Sequence, residues 1–275
     1  MRWWIGIIGV AVLGLAGALV LNTPRPSFEA RAFAMNARPL TTEEELTQQP
    51  LSRPKFRCRQ AECSAIYLQY EILVDEAGRP VAAIFRDAVG EADGDMRIEA
   101  EAYIRTFRYP PLARPAPVRM WESVDVYPPV RVPARSVPMP AYDASTVRIT
   151  LERTNCFGSC PSYTVSVAGD GAVRFDGQSY VAEKGRRTGA VDPAAVQALY
   201  DQFRAADFMS LDDRYIADIT DNPTYTLTLE TAGMRKAVVD YVGVKAGMPD
   251  SVTALEDAVD RVAGTDRWIG PPQPW

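Results

Sequence analysis

Residues 147–167 read Val147-Arg148-Ile149-Thr150-Leu151-Glu152-Arg153-Thr154-Asn155-Cys156-Phe157-Gly158-Ser159-Cys160-Pro161-Ser162-Tyr163-Thr164-Val165-Ser166-Val167. Val147, Ile149 and Leu151 alternate with Arg148, Thr150 and Glu152. Tyr163, Val165 and Val167 alternate again beyond the cysteines. A period of two on both sides of a bend containing Gly and Pro predicts two antiparallel strands, each with one buried face. Cys156 and Cys160 lie in the bend itself. Paired as a disulfide they close a small ring, worth about 2 kcal/mol by loop-closure entropy. A redox-active or metal-holding dithiol is the alternative, although three residues separate the thiols and no βαβ pattern surrounds them.

Downstream, Gly169-Asp170-Gly171 predicts a turn, and Val173 and Phe175 a third strand that turns again at Asp176-Gly177. Ser179 to Glu183 reads as a further strand. Gly185-Arg186-Arg187-Thr188-Gly189 reads as a solvated loop, with anion binding as its alternative. Asp192-Pro193 is an N-cap followed by Pro at the first helical position. Val196, Leu199, Tyr200 and Phe203 mark the buried face of that helix. Residues 215–223 form an Asp-rich turn. There Asp218 and Asp221, with Asp212 and Asp213 upstream, are candidates for a carboxylate pair or a calcium site, against simple Asx-turn chemistry. Tyr225, Leu227 and Leu229 alternate, Gly233 turns the chain, and Arg235 to Val242 returns. A last helix starts at Pro249-Asp250, buries Val252, Leu255, Val259 and Val262, and stops at Gly264, with Trp268 closing the core.

Upstream, Ile66 to Val74 reads as a strand, Asp75 to Pro80 as its hairpin turn and Val81 to Arg86 as the returning strand. A helix is predicted from Arg97 to Phe107 with Ile98, Ala102 and Ile104 on its apolar stripe, flanked by Tyr103 and Phe107. Tyr109-Pro110-Pro111 ends it, and Val118 to Tyr127 gives a long strand. The acidic residues of 87–95 miss the spacing of a calcium-binding EF-hand loop. Arg53, Lys55, Arg57 and Arg59 share one face if extended. They read either as a solvated face or as contacts to anionic lipid or an acidic envelope polymer. Cys58 and Cys63 read as a second local disulfide. Prolines crowd 128–140 and exclude both helix and ladder, which predicts a semi-stiff interdomain linker.

Hydrophobic residues make up 47% of the 275-residue chain and charged residues 24%, which is globular composition. A net charge of −5 excludes a general nucleic-acid binder. The chain has no histidine. That excludes Ser-His-Asp and Cys-His catalysis and every His-based metal site. The N-terminus begins Met1-Arg2-Trp3-Trp4, followed by an uncharged apolar run from Ile5 to Leu21. From Trp3 that run spans roughly 29 Å as a helix, close to one hydrocarbon thickness. It reads as an uncleaved inner-membrane anchor with the body in the periplasm. The alternative is a signal peptide cut at Ala16-Gly17-Ala18, leaving a soluble periplasmic protein. An exported body favours oxidised cysteines.

Two stretches resemble known families. The series VDEAGRPVAA (74–83) and AEAYIRTFRYPPLARPAPVRMWESVDVYPP (100–129) resembles the TonB C-terminal domain family over about residues 56–131. The resemblance implies a helix packed on a three-stranded antiparallel sheet, and a cell-envelope compartment. Transducers of that family carry a transmembrane histidine and a long charged, proline-rich spacer, and this chain has neither. The series RTNCFGSCPSYTVSVAGDGAVRF (153–175), TDNPTYTLTL (220–229) and TDRW (265–268) resembles an uncharacterised domain family of bacterial exported proteins, marked by CFGxCPxY, over about residues 145–269. Cys156 and Cys160 in CxxxCP also resemble the motif of periplasmic copper chaperones, which additionally use a histidine.

The expected architecture is α+β: a transmembrane anchor (1–22), a tether (23–52), a TonB C-terminal-like domain (53–131), a Pro-rich linker (132–144), the CFGxCP domain (145–270) and a tail (271–275). Each domain is expected to hold an antiparallel sheet packed with one or two helices. The expected function is non-enzymatic, with no cofactor and no metal: a membrane-anchored periplasmic protein that binds an envelope protein or polymer. The alternatives are a thiol redox or Cu(I)-handling protein centred on Cys156 and Cys160, and a divergent TonB-like protein linked to outer-membrane transport.

Overall fold

The computed structural model describes residues 38–39, 50–59, 66–111 and 117–271. The fold is α+β, with two sheets and few helices. The anchor segment, most of the tether and Cys63 lie outside the described residues. Among those residues no helix is long and apolar enough to cross a membrane.

The first sheet is built from β1 (Arg38–Pro39), β2 (Phe56–Arg57), β3 (Tyr67–Val74), β4 (Pro80–Val89) and β5 (Val118–Tyr127). Its order is β1-β5-β3-β4, with β2 also on β5. The three long strands are antiparallel, but β1 and β2 run parallel to β5, so the sheet is mixed rather than purely antiparallel. Gly78 turns β3 into β4 at φ 74°, and a Cβ there would meet the Tyr109 carbonyl oxygen at 2.1 Å. The turn is thereby packed directly on the Tyr-Pro-Pro segment. Helix α1 (Gly94–Ile104) covers the sheet, and the Asp93 carboxylate caps it by accepting from Met96 N at 2.8 Å. Its buried positions are Met96, Ala100 and Ile104, an i, i+4, i+8 stripe, while Ile98 is 66% exposed. Of the expected stripe Ile104 and the flanking Phe107 are buried, whereas Ile98 and Ala102 are exposed because they stand off the Met96–Ala100–Ile104 row.

The second sheet contains β6 (Arg148–Arg153), β7 (Ser162–Ala168), β8 (Ala172–Ser179), β9 (Gly185–Ala190), β10 (Arg214–Ile216), β11 (Tyr225–Thr231) and β12 (Met234–Tyr241). Its order is β10-β12-β11-β6-β7-β8-β9, antiparallel except for the parallel β10–β12 pair. Helices α2 (Pro193–Ala205), α3 (Asp250–Ala263) and α4 (Asp266–Ile269) accompany it. Asp192 caps α2, which buries Val196, Leu199, Tyr200 and Phe203. Gly264 ends α3 at φ 64°, and Trp268 stacks on Phe175 at 5.0 Å. Three expectations fail here. Ser179 to Glu183 is no strand but the bend between β8, which ends at Ser179, and β9, which begins at Gly185. Asp176-Gly177 is not a turn: β8 runs through it, because Gly177 admits the Glu183 carbonyl where a Cβ would stand only 2.2 Å from it. Arg186 and Arg187 are not in a loop but in the edge strand β9.

The proline-rich segment is extended, as its missing donors require, but it is no free linker. Val137, Met139 and Tyr142 pack on the second core, and Val137 N donates to Ser210 Oγ at 2.8 Å. The two cores are also joined directly. Lys245, in a single 3-10 turn at Gly243–Ala246, donates to the carbonyls of Ile66 and Val126 at 3.0 and 3.1 Å and lies 4.2 Å over the Tyr127 ring.

Candidate functional site

Cys156 and Cys160 form a disulfide with a Cα–Cα distance of 5.6 Å, closing the bend between β6 and β7. The half-buried bond leaves Phe157 82% exposed at the tip. The stem is tied at its base. Thr154 N donates to Thr224 O at 3.0 Å, and Thr224 N returns to Thr154 Oγ1 at 2.9 Å. Phe157 N donates to Asp221 O at 3.2 Å.

The inner face of the second sheet is apolar in its middle row, where Val238, Leu227, Leu151, Val165 and Phe175 follow one another across the strands. Two residues further along, next to the disulfide loop, the row changes character. It reads Tyr215, Asp240, Tyr225, Arg153, Tyr163 and Gly177. Helix α3 lays Glu256, Asp257 and Asp260 along this polar row. Arg153 donates through Nε and Nη2 to Asp260 Oδ2 at 3.0 and 2.7 Å, the short fork of a charge-assisted pair. The Tyr163 and Thr265 hydroxyls donate to Asp260 Oδ1 at 2.8 and 2.9 Å. Arg153 also lies 4.1 Å over the Tyr225 ring. Arg153 and Tyr163 flank the disulfide loop on either side, so Asp260 holds both legs of its stem.

Glu256 is the exception in this network. It is 1% exposed and its Oε1 has no hydrogen-bond partner. Burial, then the nearby charge of Asp240, pushes its pKa up to about 8, so the side chain is a neutral acid at pH 7. Asp240 is raised as well, first by burial, with the Gly243 N–H and Arg153 pulling back. Burial and the Asp260 charge hold the Tyr163 phenol well above its ordinary range. The arrangement can keep a proton out of water and fix the loop to α3. The sequence reading missed it, although a signal was present: Glu256 sits four residues after Val252 and three before Val259, inside the apolar stripe of its helix.

The other singled-out residues are placed as follows. Cys58 is disulfide-bonded. Arg53 pairs with the buried Glu122, Lys55 and Arg57 with Asp250 at 2.6 and 2.9 Å, and Arg59 with Glu99 at 3.2 Å. They do not form an open cationic stripe, since only Phe56–Arg57 is strand and each cation meets a carboxylate of its own chain. Asp218 and Asp221 are exposed; Asp221 takes a left-handed backbone conformation at φ 69°, and its Oδ2 accepts from the Thr220 hydroxyl at 2.9 Å. Among the described residues no group of three or more His, Cys, Asp or Glu is placed to hold a metal ion.

Fold and site together define a two-core α+β protein whose second sheet carries a disulfide-closed loop held by a buried acidic network. Residues 147–263 match the family model described as a domain of unknown function (DUF6438). That span runs from the strand before the loop to the end of α3. No curated protein matches the chain.

Proposed function

We propose that this is a non-enzymatic, membrane-anchored periplasmic protein that binds another envelope component through its two small domains. The observation that carries the binding role is the edge of the first sheet. Strand β4 is its outermost member, so one side of a ten-residue strand has no ladder partner among the described residues. Such an edge accepts an added strand from a partner. The resemblance of residues 56–131 to TonB C-terminal domains supports the same use of the edge and the same compartment. Oxidised cysteines and the apolar N-terminal run support export.

Crosslinking in intact envelopes tests it. The full chain recovers a defined protein by way of residues on β4, and charges placed on that strand, as in Ile84→Lys with Val89→Lys, abolish the adduct. Recovery that is indifferent to those charges, or no adduct above background, sinks the proposal.

A further inference from the structure

The second sheet carries its helices on one face only. On the opposite face β7, β8 and β9 form a depression of about 480 Å³, whose rim and walls include Thr164, Ser166, Arg174, Asp176, Arg186 and Thr188. The register explains why these side chains meet. Ser166, Arg174 and Thr188 stand in one cross-strand row, and Thr164, Asp176 and Arg186 in the next. The first row continues through Thr150 to Thr228, so hydroxyls extend across the sheet.

The two arginines are under-used. Arg174 is exposed and has no carboxylate partner among the described residues. Arg186 has a side chain 92% exposed, with Asp176 at 4.0 Å as its ion-pair partner. By contrast, neighbouring Arg187 is committed to Glu183 at 2.7 Å. Two guanidiniums on adjacent strands, set among hydroxyls, form a recognition surface for carboxylate groups on a polar ligand. Exposed apolar anchors are missing from the lining, because Phe175 at its floor is 1% exposed. A protein partner needs such anchors and a lipid tail needs an apolar wall. A nucleic acid needs exposed aromatic faces for its bases or a long cationic stripe for its phosphates, and the lining offers neither.

We infer that this face is a binding site for an acidic oligosaccharide, its carboxylates held by Arg174 and Arg186 and its hydroxyls by Thr164, Ser166 and Thr188. The inference concerns a different surface from the β4 edge and holds or fails without it.

Calorimetric titration of the full chain in detergent tests it, with hexagalacturonate as the probe and maltohexaose and hexaglutamate as comparisons. Hexagalacturonate binds, maltohexaose does not, and hexaglutamate binds more weakly. Arg174→Gln and Arg186→Gln each weaken hexagalacturonate by about tenfold, the loss of one charge-assisted contact. Arg148→Gln, on the same face but outside the depression, leaves it unchanged. Equal binding of hexaglutamate, binding insensitive to both arginines, or no binding of hexagalacturonate overturns the inference.

Discussion

Among the described residues each domain buries one glutamate in the middle of an apolar stripe, and the two are treated in opposite ways. Glu122 stands between Met120 and Val124 on the inner face of β5 and is 4% exposed. The Tyr109 hydroxyl donates to one of its oxygens and Arg53 pairs with the other. Burial still raises its pKa, but both partners pull it back. Glu256 stands among Asp240, Asp257 and Asp260, and the nearby cation, Arg153, is already forked onto Asp260. The difference is one of compensation. A buried carboxylate with a donor and a cation is pulled back towards its charged form, whereas one facing other carboxylates is pushed further towards its protonated form.

The largest expected effect is on stability against pH. Between the ordinary glutamate value of 4.5 and about 8, the native state keeps a proton on Glu256 that the unfolded chain has lost. Unfolding free energy therefore falls as pH rises through that window, by on the order of 4 kcal/mol. Denaturant titrations at pH 5 and pH 9 measure it, and Glu256→Gln, which carries the neutral form permanently, flattens the slope. A wild type with constant stability across the window would break the comparison.

Next in size is the cation of the same network. Arg153→Met leaves Asp260 without its charge partner and destabilises by about 3 kcal/mol. Equilibrium unfolding reads this, with a steeper loss above neutral pH, since the remaining carboxylates then repel one another unopposed. The smallest effect sharpens the first-domain side. Tyr109→Phe removes one donor from Glu122 and costs about 2 kcal/mol. It also steepens the fall of stability with rising pH, because burial already raises Glu122 and the variant loses a group that favours its charged form.

The strands flanking the disulfide, helix α2 from its Asp-Pro cap and helix α3 to its Gly stop were all legible, because each is written in a local period with local end signals. The failures have physical causes. Gly177 and a turn glycine look alike in sequence, and only the approach of the Glu183 carbonyl distinguishes a packing glycine from a bend. The α1 stripe was misplaced because Met96 and Ala100 lie before and within a run whose most conspicuous apolar residue, Ile98, faces solvent. The cations at 53–59 look free in sequence, since Glu122 and Asp250 are far along the chain. The polar row was invisible for the same reason: Arg153, Tyr225, Asp240 and Asp260 come from four elements that only sheet order brings together. Glu122 and Glu256 alone left a local trace, a charge inside an apolar stripe.

The protonation state of Glu256 decides whether the second-domain network is what the comparison makes of it. Infrared difference spectra of the wild type against Glu256→Gln at pH 7 report it directly. The account predicts the carbonyl band of a protonated carboxylic acid in the wild type, lost in the variant and titrating away near pH 8. A carboxylate band from Glu256 at pH 7, with no acid carbonyl, would contradict it.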